Sequence, residues 1–117
     1  MATRIVFLLA LASACSACSI SRMATGALAD SLAESGSVYM SDEDPELVED
    51  AIPFGLKTME SVLAEHPEHY GLLVALASGF TSYAYGFVEM DAFALEPVDV
   101  DASEALLVRA AKLYFRA

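Results

Sequence analysis

Basic residues are scarce in this sequence. It contains 6 lysines and arginines against 17 aspartates and glutamates, which gives a formal net charge of -11 at pH 7. A surface of that sign repels the phosphates of nucleic acids and of anionic lipid head groups. We therefore expect no nucleic-acid partner, and any attachment to a membrane must rest on apolar groups rather than on charge.

Cysteine is absent after Cys18, because the only other cysteine is Cys15. The remainder of the chain therefore has no disulfide, no thiolate nucleophile and no sulfur ligand for a metal. Catalytic motifs are lacking as well, since no G-x-S-x-G and no phosphate-binding glycine loop occurs. His66 and His69 form H-x-x-H without a third strong ligand nearby, which favours helix capping over metal binding. We expect no enzymatic activity, no cofactor and no metal site.

Residues 1–17 have the layout of a secretion signal. Arg4 precedes the apolar run of residues 5–12, and small residues follow. Cys18 comes directly after two small residues and resembles the lipidated cysteine of a bacterial lipobox, with a polar stretch after it. Cys15 has the same context and is the alternative lipid site. An ordinary secretion signal, or a C-x-x-C redox pair, is the other reading of these residues.

Residues 18–117 are expected to form one small all-α domain. The composition is 56% hydrophobic, so apolar surface must be buried, and no stretch shows the sustained period-two alternation of a strand. Apolar spacing and breakers predict helices over 22–34, from Pro45 to about Glu65 after an Asp44 N-cap, from about Glu68 to Leu95, and from Ala102 onward. The first of these helices is expected to end at Ser35-Gly36-Ser37. Its apolar face is expected at Met23, Ala27 and Leu28, and the apolar face of the second helix includes Leu47 and Phe54. We expect Pro53 to kink or restart the second of these helices.

The segment 70–88 contains no charged residue and meets the length criterion for a membrane span. Its glycines and hydroxyl residues dilute the hydrophobicity, and its flanks carry no Lys/Arg bias, which favours a helix buried among other helices. A small membrane protein that uses 70–88 as its span stays the alternative.

Apolar and small residues also follow the register of a tetratricopeptide repeat counted from Pro67. The matching positions are Leu73, Leu76, Ala77 and Phe80, and later Ala110 and Tyr114. Ala77 is the small residue that we expect at the closest contact between two antiparallel helices. These matches predict tetratricopeptide-like helix pairs stacked as an α-solenoid, with a generic helical hairpin as the alternative.

The run DPELVEDAIPFGLKTMESVLAEHPEHYGLLVALASGFTSYAYGFV over residues 44–88, with the lipoprotein-like start, resembles the TatT component of TPR-protein-associated TRAP transporters. The resemblance implies a periplasmic lipoprotein that assists a TRAP-type solute importer, scaffolding or docking its substrate-binding protein and holding an apolar ligand. Family members are considerably longer, so the chain would be the first part of such a protein.

The resemblance implies few residue roles. It supports Cys18 as the lipid site, and it makes Phe80, Tyr83, Tyr85 and Phe87 candidates for lining a ligand cavity or pore, with core packing as the competing role. The implied location is the envelope of a Gram-negative bacterium, facing the periplasm, and Ser19 after the cysteine favours the outer membrane. An unrelated envelope role of a helical lipoprotein is the competing function, and homo-oligomerisation is left open.

Overall fold

The computed structural model describes residues 22–117, and all of its regular structure is helical, with no strand in that range. The predicted all-α fold is therefore confirmed. The predicted signal peptide 1–17 and both cysteines, Cys15 and Cys18, lie outside the described residues. In chain order the helices are α1 (22–34), α2 (Gly36–Met40), α3 (Pro45–Glu65), α4 (Tyr70–Tyr83), a π-helical segment (Ala84–Glu89), α5 (Met90–Leu95) and α6 (Val100–Tyr114).

Three helices begin with the same capping contact. The side chains of Asp44, His69 and Asp99 accept hydrogen bonds from the backbone N–H groups three residues later, at 3.1, 3.1 and 3.0 Å. Each contact satisfies a donor that the first helical turn leaves without a partner. The predicted Asp44 cap is confirmed, whereas α6 begins at Val100, before the predicted Ala102, because Asp99 is the residue that caps it.

Helix α3 continues through Pro53 and does not restart there. A proline lacks the backbone N–H of one helical hydrogen bond, but the remaining bonds and the packed face on both sides can hold the helix together. Ile52 packs against the core one residue before the proline, and Leu56 and Met59 are buried after it. Tertiary packing therefore outweighs the local break that the sequence suggested.

Helices α3 and α4 form an antiparallel hairpin across the turn at residues 66–69. Leu56 and Gly79, which lie at similar distances from the turn, meet so closely that a Cβ on Gly79 would approach Leu56 Cδ2 to 2.6 Å. The close contact between the helices thus occurs at Gly79, whereas Ala77, the expected position, is half-buried. A glycine at this point lets the two backbones approach, as the repeat register requires of a small residue.

Helix α6 folds back along α4, the π-helical segment and α5. Arg109 Nη2 donates to the Tyr83 hydroxyl at 3.3 Å, and the Tyr114 hydroxyl donates to Glu89 Oε2 at 2.7 Å. Beyond the end of α6, Arg116 donates to both carboxylate oxygens of Glu60 on α3, at 2.5 and 2.9 Å. The second helix pair is thereby joined to the first.

Glu60 is the carboxylate whose protonation this arrangement affects. Burial raises its pKa, but hydrogen bonds from Arg116 and Lys57 and the charges of both cations act in the opposite direction and prevail. The pKa of Glu60 is therefore held below its ordinary value. The ionised carboxylate is the form that the folded state prefers.

The long helix from Tyr70 to Leu95 buries one residue in every four over most of its length. The buried positions at this spacing are Leu72, Leu76, Phe80, Ala84, Val88 and Ala92. An α-helix has 3.6 residues per turn, so a spacing of four drifts around the helix by about 40° at each step. The wider i→i+5 turn of the segment Ala84–Glu89 takes up this drift and returns the later residues to the same face.

The core is formed by residues of α1, α3, the helix Tyr70–Leu95 and α6, and several predicted apolar residues are turned away from it. In α1 Ala29 is completely buried, whereas Met23 and Leu28 of the predicted face are exposed; in α3 Leu47 and Phe54 are exposed. The helix Tyr70–Leu95 is long and apolar enough to cross a membrane by length and composition, and 33% of its most apolar window is buried.

Candidate functional site

The described residues form a cleft of about 730 Å³. Residues of α1 and α2 form one wall, and α3 and α4 form the floor and the other wall. This volume lies in the range of small-molecule sites in proteins. Its apolar lining comes mainly from Ala33, Met40, Val48, Ile52, Leu56, Met59, Val74 and Ala75.

Two glycines of the hairpin make room for the cleft. Gly55 on α3 and Gly79 on α4 both line it. Tyr39 of α2 reaches across toward α3, and its hydroxyl lies 2.7 Å from the position that a Cβ on Gly55 would occupy. A larger residue at position 55 would push this tyrosine away. The glycine therefore sets how closely α2 approaches the floor of the cleft.

Both histidines of the H-x-x-H motif hold α1 against the turn between α3 and α4. His66 Nε2 lies 2.7 Å from Thr25 Oγ1, and His69 Nε2 lies 3.1 Å from Asp30 Oδ1. The ring of His69 also accepts the Leu72 N–H at Nδ1, as the sequence predicted for a capping residue. Since Nδ1 accepts, Nε2 carries the proton and the imidazole is neutral in this arrangement. No group of three metal-ligating side chains occurs within residues 22–117.

The charges at the cleft are of one sign. Asp30 and Glu34, one helical turn apart on α1, line it, and neither lysine nor arginine does. Asp30 contacts the neutral His69 ring, and Glu34 forms no ion pair with any of residues 22–117. The cleft thus combines an apolar floor with an anionic rim.

The four aromatic residues proposed from the sequence lie elsewhere. Phe80 and Tyr83 are buried in the core, Phe87 packs against that core, and Tyr85 is exposed. Tyr83 and Phe87 have their ring centroids 5.7 Å apart, and Arg109 lies over the Tyr83 ring. None of the four lines the cleft. Their role in a ligand cavity or pore stays a prediction.

The sequence reasoning missed the cleft itself. One of its walls includes α2, which begins at Gly36 inside the Ser35-Gly36-Ser37 stretch that was expected only to end α1. The signal that was available is the pair Gly55 and Gly79, since a glycine inside a helix costs about 1 kcal/mol relative to alanine and therefore indicates a packing role.

The described residues thus form a small all-α protein of antiparallel helix pairs with an open apolar cleft between them. The sequence model of the family "TRAP transporter T-component" (TAtT) matches residues 41–117. The chain belongs to this family, whose members are accessory components of TRAP transporters in the bacterial envelope.

A curated relative is an uncharacterized protein of Treponema pallidum (strain Nichols). It is 29% identical to this chain over 87% of the chain and 36% of its own length. The chain therefore spans about a third of that relative. No solved structure matches the chain.

Proposed function

We propose that this chain is the N-terminal part of a periplasmic lipoprotein that docks the substrate-binding component of a TRAP-type importer and holds an apolar ligand in its cleft. The observation that carries the proposal is the family match over residues 41–117. A protein that works beside an importer must stay at the membrane and present a surface to its partner. Lipidation of Cys18 would meet the first requirement, and stacked helix pairs meet the second.

The docking surface that we favour lies where α5 gives way to α6. Phe93, Val98 and Val100 are 51%, 84% and 66% exposed. Exposed apolar side chains grouped around one loop are candidates for a protein contact site. The surface lies at the loop between two packed helices, so substitutions there leave the core intact.

Affinity purification of the full-length lipoprotein from cells that express both components tests the docking role. We expect the wild type to recover the substrate-binding component and the V98D/V100D variant to recover much less, because two new charges would have to be desolvated at the interface. Leu47→Asp is the matched control, since Leu47 is 57% exposed on α3, far along the chain from this loop. Repeated purifications of the wild type that recover no such component would contradict the proposal.

The second candidate is a small membrane protein that the helix Tyr70–Leu95 holds in the bilayer as a span. The length and hydropathy of this helix favour it. Alkaline carbonate extraction of the C18A variant separates the two. A protein held only by its lipid is released once the lipid site is removed, whereas a spanning helix stays in the membrane pellet. Membrane fractionation of the wild type, with the outer membrane expected because Ser19 follows Cys18, completes the localisation.

A further inference from the structure

The apolar floor of the cleft is long. Lining residues extend from Val48 to Met59 on α3 and from Gly71 to Ser82 on α4. At a rise of 1.5 Å per residue, each wall runs for ~16 Å. A linear apolar chain can lie along such a trough and bury its length between the two helices.

Unused hydroxyl groups face the same space. Tyr39, Ser78 and Ser82 line the cleft, and their hydroxyls form no hydrogen bond with any of residues 22–117. Sites for small molecules combine an apolar lining with a few polar groups of this kind, which fix the orientation of the ligand. The cleft therefore suits an amphiphile better than a pure hydrocarbon.

The charge of the preferred ligand follows from the carboxylates at the rim of the cleft. Glu34 has no cationic partner among the described residues, Asp30 contacts only the neutral His69 ring, and no lysine or arginine lines the cleft. An anionic head group at this rim would meet two carboxylates with nothing to compensate them, while a cationic head group would be attracted by both.

We propose that the cleft binds a small linear amphiphile with a cationic head group, with the alkyl chain along α3 and α4 and the head group at Asp30 and Glu34. The proposal rests on the ligand-binding part of the proposed function and adds the charge class of the ligand. It is independent of the docking of a substrate-binding protein.

Equilibrium dialysis of the whole chain in lipid nanodiscs, with empty nanodiscs as the blank, tests the proposal. The probes are octyltrimethylammonium, 1-octanol and octanoate, which share one alkyl chain. We expect octyltrimethylammonium to bind about tenfold more tightly than octanol, and octanol about tenfold more tightly than octanoate. Each of the two rim carboxylates changes the affinity by a factor of about three for a unit charge ~6 Å away in water.

Two matched pairs of variants locate the binding. Glu34→Gln should weaken the binding of octyltrimethylammonium about threefold and strengthen the binding of octanoate by a similar factor. Glu104→Gln makes an equal change of charge at an exposed position of α6 and should change the binding of neither probe. Val74→Trp fills the cleft and should weaken all three probes. Val108→Trp is its control, because Val74 and Val108 are 50% and 49% exposed and only Val74 lines the cleft.

Circular dichroism of each variant confirms that the helices are intact. If octanoate binds as tightly as octyltrimethylammonium and Glu34→Gln changes neither, the charge class is wrong while the cleft remains a ligand site. If no probe binds above the blank, or if Val74→Trp and Val108→Trp behave alike, ligand binding in the cleft itself is wrong. Neither result affects the docking experiment, which has its own measurement.

Discussion

Replacing Gly79 by alanine would add a methyl group at the closest contact between α3 and α4. The new Cβ would lie 2.6 Å from Leu56 Cδ2, a distance at which one of the two groups must move. Leu56 is only 5% exposed, so most of its side chain is in contact with neighbouring residues. We expect the added methyl to force the two helices apart or to turn Leu56 out of its rotamer.

Two opposing effects determine how much Gly79→Ala changes the free energy of unfolding. Overpacking of a core costs roughly 1–3 kcal/mol, and alanine in place of glycine in a helix returns about 0.8–1.0 kcal/mol. Gly86→Ala isolates the second effect, because Gly86 lies in the same continuous helix and a Cβ there meets nothing within 4 Å. The free energy of unfolding of Gly79→Ala should therefore be roughly 1–3 kcal/mol lower than that of Gly86→Ala.

Urea unfolding followed by far-UV circular dichroism measures both variants. A double-mutant cycle with Leu56→Ala then assigns the cost to this contact, since removal of the leucine side chain should make room for the methyl and give a favourable coupling of about 0.5–3 kcal/mol. Equal stabilities of Gly79→Ala and Gly86→Ala, or a cycle without coupling, would refute the reasoning that the hairpin closes at Gly79.

Three further predictions concern other parts of the chain. His69→Ala should lower stability by about 1 kcal/mol through loss of the α4 cap, and His69→Asn, which can accept the same hydrogen bond, should recover most of it in thermal unfolding. The contribution of Glu60 to stability should be fully present above pH 4.5 and be lost as the pH falls through its lowered folded-state pKa. Between pH 7 and pH 3, the free energy of unfolding should therefore fall more steeply for the wild type than for Glu60→Gln. Parallel curves for the two proteins would contradict the role of the Arg116 contact. Metabolic labelling with an alkyne palmitate analogue should tag the wild type and C15A but spare C18A, and loss of the label in C15A would move the lipid site to Cys15.

Sequence reasoning located the helices well where a cap and a breaker coincide. Asp44 followed by Pro45 fixes the start of α3, and His66 followed by Pro67 fixes its end, because each signal acts through the residue's own backbone. The α3–α4 hairpin and the all-α class follow from these local signals and from the spacing of the apolar residues.

Contacts between residues far apart in the chain determine the features that local sequence patterns did not predict. The apolar face of α1 was misassigned around Met23, because in a short helix rich in alanine and leucine several stripes are almost equally apolar, and the neighbouring helices select Ala29. The cleft depends on where Tyr39 meets Gly55, a contact between residues far apart in the chain for which no local pattern exists. The candidate aromatics were identified from the resemblance, which does not show that Phe80, Tyr83 and Phe87 pack in or against the core while Tyr85 is exposed.

The π-helical segment is the point of this helix where a residue can be lost without a change of face. Each residue in its wide turn advances around the axis by less than in an α-helix, so the segment holds one residue more than an α-turn of the same rotation. If one residue between Ala84 and Glu89 were deleted, the wide turn could close into an ordinary α-turn and Ala92 would keep its place in the core. A deletion within Tyr70–Tyr83 has no wide turn to close, so it would rotate the later residues by about 100° and bring exposed Phe93 to the position of Ala92. Both deletions preserve a helix, but only the second changes which side chains meet α6.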